Sequence, residues 1–290
     1  MADHRFTIEP PELERPRLVV MLEGWIDASG AAAAAMAAIE AETDAREIVT
    51  FDDDLYIDYR ARRPTLEIRG GVSTRLVWTS PRLLHGRDAN GVDVLLLTGP
   101  EPDMAWHRFS DTIGALAQRF GVQSMTALGA YPFATPHTRP TRVTATSPSP
   151  DMLATFGYAV SSVDVPAGVA AAIETTLHNQ GIPSAGIWAQ VPHYVAAMSY
   201  PAASVALLDA LEATTGVSVP AQLLRREVAV QRERLDHLVA SNEEHAQMVA
   251  RLERLHDDSA AEEEAGGPAL ELRSGDEIAA EVERFLRDQK

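Results

Sequence analysis

Short apolar runs bounded by turn residues recur at 18–22, 48–51, 76–78, 92–97, 124–128 and 187–191, and helical patterns at 31–41, 104–120 and 168–179 fall between several of them. Strand and helix alternating in this way predict an α/β fold in which a mostly parallel central sheet is covered by helices on both faces. The segment 65–87 breaks the rhythm. There Leu66-Glu67-Ile68 and the strand ending at Trp78 are separated by Gly70-Gly71, which reads as a β-hairpin.

From about Pro201 the pattern becomes helical throughout. A short helix over 202–214 and a turn at 216–220 lead into a long charged helix reaching His256, a C-terminal αα-hairpin. On the long helix Leu224, Val228, Gln231, Leu235, Leu238, Asn242, His245, Val249 and Leu252 alternate at spacings of four and three, the register of a coiled-coil seam. The hairpin mate is about half as long, so the distal half has to pack elsewhere in the protomer, meet another subunit or take a foreign helix. The chain therefore divides into an α/β core over 1–200, a helical hairpin over 201–257, a disordered acidic linker over 258–273, set by the stretch 257–268 with almost no apolar content, and a tail over 274–290. In the tail Ser274 and Glu277 fit a capping box, and Ile278, Val282, Phe285 and Leu286 fall on one helical face.

The place for a site is the turn where the first core strand hands over to an alanine-rich helix: Glu23, Gly24, Trp25, Ile26, Asp27, Ala28, Ser29 and Gly30. A helix N-terminus leaves backbone N–H groups unpaired and partially positive, so such a turn can take an anion or a polar ligand. Asp27 or Ser29 could equally cap the helix. Glu23 and Trp25, two apart at the carboxyl end of a core strand, share one face and read as crevice residues. Glu101, Trp106, Tyr131, Arg139 and His193 also lie at or just after predicted strand ends, and a parallel sheet would bring all of these to one edge. Aromatics with carboxylates and an arginine could hold a nucleoside-like or other small polar molecule. Alternatively, Trp25 and Trp106 cover the sheet edge, the carboxylates cap helices, and His193 packs on Tyr194.

The Glu-Gly-Trp-Ile-Asp-Ala segment at 23–28, continued by Ser29-Gly30, resembles the opening signature of the PAC2 family, relatives of the eukaryotic proteasome assembly chaperone 2. The resemblance runs on through 98–102 with Trp106, Leu128-Gly129-Ala130, Thr138-Arg139-Pro140 and Pro192-His193-Tyr194, and the tail is similar to that of actinobacterial members. Where many members have Asp-Ala-Gly, this chain has Ser29 after Ala28, so a backbone conformation that needs glycine there is not provided for. The resemblance implies a three-layer αβα core similar to that of purine nucleoside phosphorylases, with the C-terminal helices added. It also implies a non-enzymatic assembly chaperone or interaction module acting as a homo-oligomer such as a trimer, with a protein partner at the C-terminal helices. Fold similarity alone does not carry activity. A nucleoside-like ligand, bound or slowly cleaved at the Glu23–Asp27 turn, is the alternative.

Composition narrows the chemistry. A formal net charge of −17 argues against nucleic acid or an anionic membrane as a partner, since phosphate binding needs concentrated cations. There is no cysteine, hence no disulfide, thiolate metal site or thiol nucleophile. The one lysine is Lys290, so neither a Walker loop nor the phosphate-gripping lysines of the carboxylate–amine ligases with which PAC2 proteins have been associated can be supplied. There is no Gly-x-Ser-x-Gly elbow, and the nine histidines form no paired metal motif. No metal and no cofactor is expected. No run is long enough to span a bilayer and no basic-then-apolar leader opens the chain, so a cytoplasmic location is expected.

Overall fold

Alternation along each strand decides which layer a residue joins. In β2 (Arg17–Glu23), Leu18 and Val20 enter one apolar cluster while Val19 and Met21 enter the other. The computed structural model describes residues 3–158 and 162–264. Preceded by β1 (His4–Phe6), β2 leads through a 3-10 turn into α1 (Ala31–Glu42), β3 (Arg46–Phe51) and a single helical turn α2 (Asp53–Tyr56). The hairpin strands β4 (Thr65–Arg69) and β5 (Val72–Val77) follow, then β6 (Arg82–Arg87), β7 (Asp93–Pro100), α3 (Trp106–Phe120) and β8 (Ser124–Phe133). The core closes with β9 (Val143–Thr146), α4 (Pro150–Phe156), α5 (Val169–Asn179) and β10 (Ser184–Pro192).

The main sheet has the order β1-β3-β6-β7-β2-β8-β10-β9. Its centre, β7-β2-β8-β10, is parallel, as the helical crossovers require, and both flanks are antiparallel. The flanking strands β1, β6 and β9 are short and were not separable from loops by pattern. One apolar cluster lies under α1 and the following helix α6 (Pro201–Thr215), the other under α3 and α5. The result is a three-layer αβα sandwich. The predicted hairpin forms as a separate two-stranded ribbon, turning on Gly70 and Gly71 at φ 56° and 82°.

The C-terminal helices depart from expectation. The single long helix is two, α7 (Gln222–Ala240) and α8 (Glu243–Glu264), and the chain reverses between them. His137 contacts Asp236 on α7 at 3.1 Å while the adjacent Thr138 donates to Glu253 on α8 at 2.5 Å. In one straight helix those two acids would stand roughly 25 Å apart. Asn242, expected in a seam, is instead the N-cap of α8, its Oδ1 accepting the N–H groups of Glu244 (2.9 Å) and His245 (3.2 Å). The periodicity continues across a two-residue break, so it could not reveal the reversal. Residues 258–264, expected in a linker, extend α8. Positions 265–273 of that linker and the tail at 274–290 lie outside the described residues.

Candidate functional site

Adjacent parallel strands β2 and β7 send their following helices, α1 and α3, to opposite faces of the sheet. Their carboxyl ends therefore flank a topological switch point, where α/β proteins place ligands. The chain itself fills much of this crevice. The carbonyl of Glu23 accepts the N–H of Glu101 at 2.7 Å and Arg62 Nη1 at 3.3 Å. Gly24 has φ +125°, and a Cβ there would come within 2.7 Å of Arg62 Nη2 and 3.2 Å of Glu101 Cγ, so only glycine fits. Arg62 is oriented by Asp103, with Nε 2.9 Å from Oδ1, and the other Asp103 oxygen accepts the Asp58 N–H. Trp25, 41% exposed, lies over Gly168, where an added Cβ would be 3.0 Å from the indole.

Two helix N-termini near this edge, those of α1 and α5, already hold a carboxylate. Asp27 accepts the N–H groups of Ala32 (2.8 Å) and Ala33 (3.0 Å) at the start of α1. Glu101 Oε2 accepts the Val169 N–H (3.1 Å) at the start of α5. These are the positions a ligand anion would take by the same dipole and N–H attraction. Burial pushes the Asp27 carboxyl above the usual carboxylate range, and the backbone donors partly offset it.

Ser29 carries the departure noted from the sequence. It adopts φ 62°, the left-handed region that favours glycine, and Gly30 follows at φ 65°. Its N–H donates to Ala196 O at 2.7 Å, which holds the turn against the segment after β10, while its hydroxyl is buried without a partner among the described residues. A left-handed conformation costs a non-glycine residue about 1–2 kcal/mol. Glycine returns part of that through a freer unfolded chain. Ser29→Gly is therefore expected to stabilise the protein by about 0.5–1 kcal/mol, read as a higher urea midpoint at unchanged slope; a lower midpoint would mean that the serine hydroxyl supports the turn.

The other candidate residues are engaged separately. Trp106 donates Nε1–H to Pro102 O at 2.6 Å and packs on the α3/α5 cluster. Tyr131 accepts from Gln190 Nε2 at 3.0 Å and stands 3.4 Å from Thr144 Oγ1, and burial raises its pKa. Arg139 does not face the crevice chemistry; it grips α8, with Nε and Nη2 each 2.8 Å from the two Asp257 oxygens and Nη1 3.3 Å from Glu253. His193 is exposed and packs edge-on against Tyr194, ring centroids 5.4 Å apart.

Sequence reading missed Arg62, Asp103 and a polar chain, buried at His137 and exposed at Asp236, that ties α7 to the core. The Asp236 carboxylate, an acceptor only, takes Nε2–H of His137 at 3.1 Å, so in the neutral ring Nδ1 accepts the Tyr194 hydroxyl proton at 2.7 Å, while that hydroxyl oxygen accepts the His137 backbone N–H at 2.8 Å. Burial holds His137 below the usual imidazole range, and Asp236 opposes this. His137 also lines a half-open cavity of about 340 Å³ between α6 and α7, whose walls include Tyr200, Val205, Val228, Arg232 and Leu235. No sequence spacing links residues 137, 194 and 236. Among the described residues no group of three His, Asp or Glu side chains is placed to hold a metal, and no helix is long and apolar enough to cross a membrane.

The fold and the switch-point edge define a class: a three-layer α/β sandwich whose crevice is occupied by its own carboxylates and arginine, with helices docked on one face. The PAC2 family model matches residues 21–239, and the chain belongs to the PAC2 family. A protein of unknown function from Corynebacterium glutamicum superposes with a TM-score of 0.83 at 31% identity, over 90% of this chain and 99% of that one. A Mycobacterium tuberculosis protein of unknown function gives 0.80 at 34% identity, over 88% and 91%. A proteasome-assembly chaperone homologue from M. tuberculosis gives 0.74 at 34% identity, over 80% of this chain and 99% of that one. A search of curated proteins finds no match.

Proposed function

We propose that this protein is a non-enzymatic assembly chaperone that works in the cytoplasm as a homo-oligomer and holds proteasome subunits through its C-terminal helices. The observation that carries the reading is the 34% identity to a proteasome-assembly chaperone homologue along 99% of that protein's length. Two features of this chain agree with it. Asp27, Glu101 and Asp103 at the switch point are spent on backbone N–H groups and on Arg62, as in a structural edge. The paired helices α7 and α8 present Leu223, Val230, Leu238 and Leu255 to solvent, apolar side chains available to a protein partner.

The test is size-exclusion chromatography with light scattering, run on the full chain alone and mixed with unassembled proteasome subunits from the same source. The expected result is an oligomer that takes up subunits in a fixed ratio and speeds their conversion to assembled particles. Val230→Asp should remove the uptake while leaving the oligomer folded. A monomer that leaves the assembly rate unchanged would refute the reading.

A further inference from the structure

The ribbon β4–β5 stands outside both apolar clusters and pairs with no strand of the main sheet. Leu66 faces Leu76 across its ladder, and Ile68 lies two residues along β4, on the same side as Leu66. These three are 47%, 47% and 53% exposed. The opposite face carries the charges, with Val72 and Val77 beside them: Glu67 pairs with Arg75 at 2.8 Å and lies 3.8 Å from Arg69. A two-stranded ribbon is marginal in water unless one face is covered. This one has an amphipathic face and no cover among the described residues.

Its charge is also at odds with the rest of the chain. Residues 59–82 hold six arginines against the single acid Glu67, in a protein of net charge −17. Arg62 is taken by Asp103, whereas Arg60, Arg63 and Arg82 have no acidic partner among the described residues. The surface therefore fits a segment that is apolar on one side and acidic around it. Aliphatic side chains are poor partners for a polyphosphate, which sets a nucleic acid aside.

A segment of that description follows Glu264 in the same chain. Ile278, Val282, Phe285 and Leu286 have the spacing of one helical face, flanked by Asp276, Glu277, Glu281 and Glu283 against Arg284 and Arg287, a net acidic segment. The twelve residues 265–276 can span about 40 Å when extended. The ribbon is tethered beside the carboxyl end of β2 through Arg62, and α8 is tethered by Arg139, just after the neighbouring strand β8. Neighbouring strands lie about 5 Å apart, so both anchors belong to one edge of the sheet. We propose that the C-terminal segment 276–287 covers the Leu66–Ile68–Leu76 face of the ribbon in the same protomer, its acids meeting the arginines at the rim. This docking is independent of what the protein assembles.

Hydrogen exchange on the full chain tests it. In the unmodified protein the amides of 65–69 and 72–77 should be protected, and the full-length double variant Phe285→Asp/Leu286→Asp should speed their exchange at least tenfold while β7 and β8 stay unchanged. Equal ribbon exchange in the two proteins overturns the proposal. Because the chain has no cysteine, Leu76→Cys combined with Phe285→Cys introduces the only two thiols. A short bis-maleimide should link them within one chain, at monomer mass. A product of dimer mass would give the ribbon to a second copy, and the absence of any link would leave it to a different partner; both overturn docking in the same protomer.

Discussion

Gly129→Val is expected to destabilise the protein by about 2–3 kcal/mol, the range for forcing volume into a filled layer. Gly129 sits in β8, between β2 and β10, and is paired with Trp188 in the parallel register. A Cβ on Gly129 would lie 2.3 Å from Trp188 Cε3 and Cζ3, a separation no real contact sustains. The indole cannot be pushed aside without loss, since its Nε1–H donates to Thr146 Oγ1 on β9 at 3.1 Å and holds the edge strand. Urea unfolding of Gly129→Val, Trp188→Ala and the double variant measures the clash. The double variant should be more stable than the sum of the single changes predicts, by about 1–2 kcal/mol. Simple additivity, or a neutral Gly129→Val, would show that the indole is not fixed over this glycine.

Replacement of Glu174 by glutamine should remove most of a fall in stability between pH 4.5 and 8. Glu174, on α5, is 9% exposed, and burial raises its pKa from 4.5 to about 8. Its Oε2 lies 3.5 Å from where a Cβ on Gly186 would be, beside the Trp188 indole nitrogen, with no cation paired to it among the described residues. Because the folded value is above the unfolded one, the native state holds a proton that the unfolded chain releases. The carboxyl costs nothing below pH 4.5, where it is neutral in both states, and stability is then lost as pH rises, until it levels off above about 8. At 1.36 kcal/mol per pKa unit the loss is on the order of 3–5 kcal/mol. Glu174→Gln should therefore have a nearly flat profile over that window and exceed the parent at pH 8.5. Parallel profiles for the two proteins would mean that the carboxyl is solvated or paired in solution. Asp93 acts at the other end of the scale. Burial raises its pKa, but the Glu14 N–H, Arg87 and His85 outweigh this and hold it below the usual value, so its contribution is lost only as pH falls below about 4.

The alternation of apolar strands with helices was enough to place the parallel centre and the helices α1, α3 and α5, because buried β-strands and amphipathic helices each leave a short-range period in the sequence. The Gly70-Gly71 hairpin was legible for a related reason, since only residues tolerant of positive φ make that turn. Asp27 as a helix cap was one of the alternatives the turn residues offered, and its carboxylate does receive two helix N–H groups. The reach of Arg139 to α8, the Arg62–Asp103 pair beneath Gly24 and the Tyr194–His137–Asp236 chain were not legible. Each joins residues more than forty positions apart whose spacing obeys no period. The reversal at Ser241-Asn242 was hidden because the four-and-three spacing of apolar residues runs unbroken through it. What the sequence by itself determined was the family, the layers and the turn that leads from β2 into α1. Only the tertiary structure decided that the Asp27 and Glu101 carboxylates are turned inward onto the protein's own helix ends, because the pairing of charges and donors depends on which distant segments the packed layers bring within about 3 Å of one another.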